Sequence, residues 1–558
     1  MKTYIKLIYF TFTSPIRRKN QADSQESHQP FYFDVRGSSF EMPSGKAENG
    51  DYPPTLTASE SEQLLSTIKD WSIANGLAVR PPLSLVKSDS DPHGILATTA
   101  PVTLFPSPFP RVCFEQAKSI QKSYNKLYAA IAQDEKFLGS IVQEILEVDE
   151  FIAQLWQVHL KVKEEGYVQN LSLGLFRSDY MVHQSTNDHT PTIKQVEFNT
   201  IASSFGGLSS QTSRLHKHLS ISDYSLLDNP LLARNLDLPE NSSTTSLASG
   251  LRVAFDTYKS TSQPLHDCCI IFLVQDPERN IFDQRHLEYA LQRDNSPIPV
   301  FRLPFGQILS RTSVAKTTKR QLLYHVPSHT STIFEVAVVY FRAGYGPSDY
   351  PDESAWKARF QIERSNAIKC PTILTQLAGA KKVQQVLASP TSPDTPSILN
   401  RFIKDSPKEI EDLEKTFTNI YPLDESSSGL SARKLATDPA DCKGYVLKPQ
   451  REGGGNNTYR TAIPPFLKSL PETYWKSYIL MEIITPPPVH NIILRNGVLE
   501  QGGVICELGI YGTCVWDQGT GEVIHNEEAG YLLRTKGDKS EEGGVAAGFG
   551  SMDSCRLV

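Results

Sequence analysis

The densest chemical signal in the chain is the run Lys448-Pro-Gln-Arg-Glu-Gly-Gly-Gly-Asn-Asn457, directly behind the apolar Tyr445-Val-Leu447. Three consecutive glycines leave backbone N–H groups unscreened and let the chain approach a ligand closely, and Lys448 and Arg451 add positive charge, which suits a polyphosphate. The run matches neither GxxxxGK[ST] nor GxGxxG. Residue types alone leave a mobile Gly-rich hairpin as the other reading. Glu452 favours the phosphate site, because a carboxylate among phosphate-binding groups is unfavourable unless a cation lies between them, which implies Mg²⁺. Glu197 and Asn199 point the same way. Spaced i, i+2 on a strand they share a face, and both can offer oxygen to one hard cation, although a solvated sheet face would show the same pair.

Three further segments carry weaker signals. The turn Thr200-Ile-Ala-Ser-Ser-Phe-Gly-Gly207 is rich in N–H and hydroxyl donors suited to a carboxylate, or is a plain connection. Arg342-Ala-Gly-Tyr345 follows an apolar run, where an arginine can clamp a carboxylate in bidentate fashion or sit on a surface turn. Arg534 and Lys536 precede the small-residue stretch 541–548, which reads as a loop able to close over a site and exclude water, or as a flexible tail. GxSxG, HExxH, HRD and DFG are absent. His216 and His218 read as surface residues, and the eight cysteines, without CxxC or zinc-type spacing, read as structural reduced thiols.

These groups need elements to hold them. Thr57 to Glu60 forms a capping box before Leu64, Leu65, Ile68 and Trp71 at helical spacing, with Gly76 as the stop. A helical region spans about residues 114–165. The stretch 193–199 alternates Val196 and Phe198 with Glu197 and Asn199 as a half-buried strand does, and 268–274 and 336–341 are continuous apolar runs of buried strands in an α/β fold. Ser/Pro-rich stretches at 241–249, 389–397 and 425–431 read as loops or module edges.

Composition sets the outer bounds. The chain has 558 residues, 39% of them hydrophobic and 21% charged, so a globular protein with a large core is expected. With 56 Lys and Arg against 62 Asp and Glu, the net charge of −6 argues against a broad nucleic-acid surface. No apolar run approaches the roughly 20 residues of a membrane span, so no membrane partner is expected. Residues 1–55 read as a disordered or targeting-like extension: Lys2, Lys6, Arg17, Arg18 and Lys19 occur before the first acid, Asp23.

The strings RSDYM (177–181), QVEFNTIASSFGGL (195–208), ERNIFDQR (278–285), VVYFRAGY (338–345), QLAGAKKVQQ (376–385), LKPQREGGGNN (447–457), ELGIYG (507–512), and LLRTK with GGVAAG (532–536, 543–548) resemble, in order, those of eukaryotic glutathione synthetases. The resemblance runs from about residue 59 to the last residue. It implies an α/β fold of α+β modules, a permuted ATP-grasp with an inserted α/β substrate-binding domain and flexible Gly-rich and Ala-rich lid loops. The implied partition is 56–267 as an ATP-grasp part with a helical beginning, 268–382 as the substrate-binding domain and 383–558 as lid and C-terminal part. It also implies a cytoplasmic homodimer that joins γ-glutamylcysteine to glycine with Mg²⁺ and ATP through an acyl phosphate.

Carried over by the same resemblance, Glu197, Asn199 and Glu452 are metal ligands. Lys381, Lys448, Glu452, Gly453, Gly454, Gly455, Asn456, Asn457, Tyr459, Met481, Glu482, Ile483, Ile484, Glu507, Lys536 and Glu542 are ATP contacts. Arg177, Ile201, Ala202, Ser203, Ser204, Glu278, Arg279, Asn280, Gln284, Arg342, Ala343, Gly344, Tyr345, Arg534, Val545 and Ala546 hold the dipeptide or product, with Arg177 and Arg534 as the catalytic charges. Ile483 stands where the family commonly has Lys, and Glu542 where it often has Asp. Val545 and Ala546 favour glycine as acceptor. A sister ligase using β-alanine or serine, and a non-catalytic nucleotide-binding protein, are the alternatives.

Overall fold

Along Leu171–His183 the side chains alternate between two faces of a sheet. Phe176, Tyr180 and Val182 enter one core, and Leu173 and Leu175 enter the other. Continuing on the face of Leu173 and Leu175, the same alternation brings Arg177, Asp179 and Met181, so one face of the strand passes from core residues to a charged pair. The computed structural model describes residues 52–558 apart from 185–189, 228, 230–231, 233–235, 330, 390–395, 405, 541–544 and 546–549. The expectation for residues 1–51 therefore lies outside the described residues, as do Glu542 and Ala546.

The sheet has 13 strands among the described residues. On one side of Leu171–His183 runs the antiparallel Val498–Asp517, followed by Val523–Gly537. On the other side the sheet forks. Ile368–Cys370 pairs in parallel at Ser172, whereas Thr192–Asn199 pairs antiparallel from Arg177 onward. Through Ile368–Cys370 the sheet continues in parallel to Ile333–Phe341, Cys268–Val274 and Val300–Pro304. Every residue of Cys268–Val274 is buried, as the uninterrupted apolar run requires of a strand covered on both faces.

Helices cover the two faces. Phe114, Tyr124, Leu138 and Trp156 of Arg111–Gln133, Glu135–Gln143 and Glu150–Glu165 pack with Phe176 and Tyr180. Leu215, Leu251 and Leu287 of Gly206–Ser222, Ser243–Thr261 and Ile281–Arg293 pack with Leu173 and Leu175. The first helix is Ala58–Ala74, with the expected capping box at Thr57 and Glu60. The region expected to be helical over 114–165 is three helices, broken at Asp134 and again before Asp149, whose carboxylates cap the helices that follow.

A smaller antiparallel sheet orders Ile420–Pro422, Tyr478–Glu482, Tyr445–Pro449 and Thr458–Tyr459. Its alternation again separates two faces. Leu447 and Leu480 pack in a core with Ala432 and Ile463 of the helices Ser427–Thr437 and Ile463–Lys468, whereas Val446 and Met481 meet Met181 and Val196 of the large sheet.

Three expectations change. Ser-rich stretches at 241–249 and 425–431, expected as loops or module edges, contain helix starts: Ser426 Oγ accepts from Gly429 N as a cap, whereas Ser243 Oγ donates to Gly206 O of another helix. A bulge opposite Asp179 and Tyr180 shifts the phase of Thr192–Asn199, so Val196 turns to the cleft with Glu197, and only Phe198 of the expected apolar pair enters the large core. His216 is fully buried: its Nε2 donates to Thr103 O (2.9 Å) and its Nδ1 accepts from Ser554 Oγ (2.6 Å). His218 is exposed and stacks against Trp71. All eight cysteines are free and buried, in line with a structural role.

Burial holds His216 neutral by lowering its pKa to about 4, against the pull of Thr103 O. Unfolded histidine takes its proton near 6.5, so the unfolded state gains stability as pH falls from 6.5 toward 4. Between pH 7 and pH 5 this one residue is expected to cost about 2 kcal/mol of folding stability. Denaturant unfolding of the wild type and of His216→Gln at both pH values checks it: the variant should lack that part of the acid sensitivity.

Candidate active site

The large and small sheets face each other across a cavity of 470 Å³. At its centre Lys381, the first residue of the helix Lys381–Leu387, points its ammonium between two carboxylates, 2.9 Å from Glu452 Oε1 and 3.2 Å from Glu197 Oε2. Burial opposes the Glu197 charge, but Lys381, Lys448, Arg534 and Arg177 around it hold its carboxyl down at about 2. Burial and the charge of Glu197 push Glu452 up to about 7 against the attraction of Lys381. Two carboxylates meeting at one cation mark a place where a second cation can sit. Asn199 completes the set: its Nδ2 donates to Arg177 O (3.2 Å) and Asp179 Oδ2 (2.9 Å), so the amide oxygen is what remains for the cavity. No cluster of three His, Cys, Asp or Glu occurs among the described residues. Two carboxylates and an amide oxygen fit Mg²⁺, which typically takes one or two protein carboxylates and completes its shell with phosphate and water.

The Gly-rich run leaves the end of Tyr445–Pro449 as a loop over this centre. Gly453, Gly454 and Gly455 have φ of 100°, 70° and 75°, a left-handed conformation that other residues rarely adopt. Lys448 lies on the face of Val446, toward the cavity, and its Nζ donates to Val196 O (3.0 Å); burial lowers its pKa. Arg451 differs from the expectation that it supplies free charge, because its NH1 donates to Asp149 Oδ2 (2.6 Å) and anchors the base of the loop. Next to the loop, Met181, Val196, Val446, Met481 and Ile484 form an apolar slot, with Tyr459 and Ile483 packed on it. The amides of Glu482 and Ile483 donate to Asn419 O and Gly444 O within the small sheet.

The far end of the cavity is a charged cluster. Arg177 donates from Nε and NH2 to the two oxygens of Asp179 (2.6 and 2.8 Å) and from NH1 to Ser204 O (3.2 Å). Arg534 NH2 reaches Asp179 Oδ2 (2.8 Å) and pairs with Glu507. The Arg534 Nε is buried with no partner among the described residues, a donor awaiting an acceptor. A second cavity of 370 Å³ contains Glu278, Arg279 and Asn280 and shares Phe205 and Val545 with the first as common wall. Phe205 holds φ of 74°, and its N–H donates to Asp283 Oδ2 (2.9 Å), as Gly207 N does to Asp283 Oδ1 (2.7 Å). Arg342 NH1 and NH2 also bond to Asp283 (3.2 Å each), and its NH2 donates to Ser204 Oγ (2.7 Å).

Most of the sequence-predicted residues thus meet in one place. Arg177, Glu197, Asn199, Ile201, Ala202, Ser204, Tyr345, Lys381, Lys448, Glu452, Tyr459, Glu507, Arg534, Lys536 and Val545 line the first cavity together with the loop and slot residues. Gln284, Arg342 and Ala343 are buried and are not among the residues lining either cavity; Gln284 Nε2 donates to Glu278 Oε2 (2.6 Å). Ser203 is buried, its Oγ donating to Asn199 O (3.4 Å), and Gly344 donates its N–H to Asp349. Sequence reasoning missed Asp179, Asp283, Met181 and Val196. Asp179 lies two residues after Arg177 on one strand, a same-face spacing that could have found it; Asp283 joins Arg342 only through the fold.

A family model described as "Eukaryotic glutathione synthase, ATP binding domain" matches residues 58–557. The chain is 41% identical over 522 residues to the glutathione synthetase large chain of Schizosaccharomyces pombe, covering 90% of this chain and 98% of that one. It is 38% identical over 499 residues to glutathione synthetase of Homo sapiens, covering 88% and 96%. Among solved structures, a glutathione synthetase-like effector (GSS30) from Globodera pallida in apo form matches with a TM-score of 0.67 and 21% identity over 90% of this chain and 98% of that one, a likeness of fold.

Replacing Lys381 by Met leaves two half-buried carboxylates without their shared cation, which is expected to lower stability by about 1–3 kcal/mol. Added Mg²⁺ should recover more of the melting temperature in Lys381→Met than it adds to the wild type, because the metal takes the place of the ammonium. Thermal unfolding with and without Mg²⁺ checks this, and equal shifts in the two proteins would argue against a cation site at Glu197 and Glu452.

Proposed function

The chain belongs to the eukaryotic glutathione synthetase family and is an ATP-dependent ligase, and from that premise we propose that it joins γ-L-glutamyl-L-cysteine to glycine, giving glutathione, ADP and phosphate. The observation that carries this assignment is the split of one cavity into two charged ends: a lysine between two carboxylates under a Gly-rich loop, and two arginines around a third carboxylate. The first end suits the phosphates of ATP, with the base in the slot of Met181, Val196, Val446, Met481 and Ile484. The second suits the reacting carboxylate of the dipeptide and the carboxylate of the incoming amino acid.

A carboxylate is a poor electrophile, so the reaction needs an activated acyl group. The cysteinyl carboxylate oxygen attacks the γ-phosphorus, the bond to ADP breaks and an acyl phosphate forms. The glycine nitrogen then attacks the acyl carbon, phosphate leaves and the nitrogen gives up a proton. Such catalysis is mostly positioning and charge neutralisation. Lys448 and the N–H groups of the 452–457 loop hold the phosphates; Arg177 and Ser204 hold the dipeptide carboxylate; the free Nε of Arg534 takes the acceptor's carboxylate. Glu197, Asn199 and Glu452 would hold Mg²⁺, which supplies neutralisation of phosphate charge. The second cavity, beyond Phe205, takes the γ-glutamyl end between Glu278 and Asn280, whose Oδ1 is buried without a partner among the described residues. Val545, on the wall shared by both cavities, limits the acceptor to the size of glycine.

The same proposal includes the partition into 56–267, 268–382 and 383–558, a homodimer and a cytoplasmic setting. Among the described residues no helix is long and apolar enough to cross a membrane.

ADP release by the purified protein with Mg²⁺, ATP and γ-glutamylcysteine is expected only when glycine is added, with glutathione as product; release with β-alanine instead would reassign the acceptor. Glu452→Ala should lower turnover by about 1,000-fold, the scale of losing one preorganised charge partner, with an unchanged circular-dichroism spectrum. Near-normal ATP consumption by that variant would remove Glu452 from the phosphate end.

A further inference from the structure

Asp179 lines neither cavity and is fully buried, yet it touches three of the groups that do. It accepts hydrogen bonds from Arg177 Nε and NH2, from Arg534 NH2 and from Asn199 Nδ2. The arginines come from strands that are not neighbours, because Val498–Asp517 runs between Leu171–His183 and Val523–Gly537. On that middle strand the residue opposite Asp179 is Gly509. A Cβ there would lie 2.7 Å from Arg177 Cδ and 2.8 Å from Asp179 Oδ1, closer than non-bonded atoms tolerate. The missing side chain leaves the space that the Arg177 stem and the Asp179 carboxylate occupy, and Arg534 reaches that carboxylate from beyond the middle strand.

Resting on the functional reading above, we propose that Asp179 is a positioning residue for ligation: it sets Arg177 and Arg534 side by side and turns the Asn199 amide oxygen to the cavity. Two guanidinium groups this close repel each other, and a single carboxylate between them removes that repulsion while fixing which edge each presents. Arg177 turns its Nε and NH2 edge inward, and Arg534 turns one NH2 inward and keeps Nε unpaired. The bond to Asn199 extends the same constraint to the metal end. One buried carboxylate therefore ties the orientation of the carboxylate-binding pair to that of a metal-side group, while the apolar slot and Lys448 stay outside its contacts.

The test is steady-state kinetics of the full chain carrying Asp179→Asn, which keeps the shape and loses the charge. The expected result is a fall in kcat of about 100-fold, the scale of misplaced reacting groups, with raised KM for dipeptide and glycine and KM for ATP within about threefold. In an Arg534→Gln background the same substitution should cost no more than about a further threefold, since groups acting as a unit are not additive. Gly509→Ala retains every charge and displaces the pair, so it should give the same KM split even where Asp179→Asn fails to fold. Near-wild-type kinetics of a folded Asp179→Asn or of Gly509→Ala, a parallel rise in the KM for ATP, or losses that multiply in the double variant would each overturn the inference. Wild-type protein that forms no glutathione in the same assay would refute the functional reading and this inference with it; an active wild type beside an unaffected variant refutes the inference alone.

Discussion

Four cationic groups, Arg177, Arg534, Lys381 and Lys448, line one cleft with three carboxylates, Glu507, Glu197 and Glu452, and a fourth, Asp179, is buried directly behind them. None of the eight could remain ionised there alone, since desolvating a single charge costs several kcal/mol. The architecture around the cleft follows from that requirement. Seven of the eight charges pair with an opposite charge and Lys448 donates to Val196 O; they come from five separate strands, a helix and the Gly-rich loop, so the site exists only when the large sheet, the small sheet and the Lys381–Leu387 helix are all assembled. Near-complete internal pairing also shapes what can bind. A ligand must offer anions to displace the internal carboxylates or cations to displace Lys381, and a nucleoside triphosphate with its metal brings both.

Strand alternation places these charges economically. On Leu171–His183 the residues of one face run Leu173, Leu175, Arg177, Asp179 and Met181, passing from core to charge to apolar slot. Val498–Asp517 and Val523–Gly537 repeat the pattern, with Tyr511 and Leu532 in the core and Glu507 and Arg534 in the cleft. The helix Gly206–Ser222 begins where the charged section begins, so its start and the 200–205 turn, with Ala202 and Phe205 at positive φ, border the reacting centre. Backbone strain of this kind persists only where surrounding contacts impose it, and here Asp283 holds the turn through the amides of Phe205 and Gly207.

The wall shared by the two cavities organises the chemistry. On the function proposed above, the γ-glutamyl end and the nucleotide take separate cavities, and the cysteinyl carboxylate meets Ser204, Arg177 and Arg534, which line the first. Separating the recognition of a long substrate from the reacting centre lets binding energy gained far from the chemistry orient the one bond that changes. The Gly-rich loop bears on the same cavity, since Gly453 packs at Tyr345, which also lines it.

Much of this was legible in the sequence because its signals are local. The Gly-rich run after a strand, the i, i+2 pair Glu197 and Asn199, the capping box at Thr57 and the buried apolar strands all depend on neighbours a few residues away, and the ordered strings shared with a known family supplied the rest of the site. What stayed hidden depends on contacts between distant segments. His216 reads as a polar surface residue until Thr103 and Ser554 close over it, and the serines near residues 243 and 426 read as breaks until one bonds across to Gly206 and the other caps its own helix. A bulge turned Val196 to the cleft although simple alternation had placed it with Phe198. Sequence by itself determined which residue types carry the chemistry and which segments are strands or helices, because those follow from side-chain chemistry and short-range periodicity. Only the tertiary structure decided that Arg451 is neutralised by Asp149, that Arg342 answers to Asp283, and that two arginines from separate strands share Asp179, since a charge acquires its role from the partner that folding brings beside it.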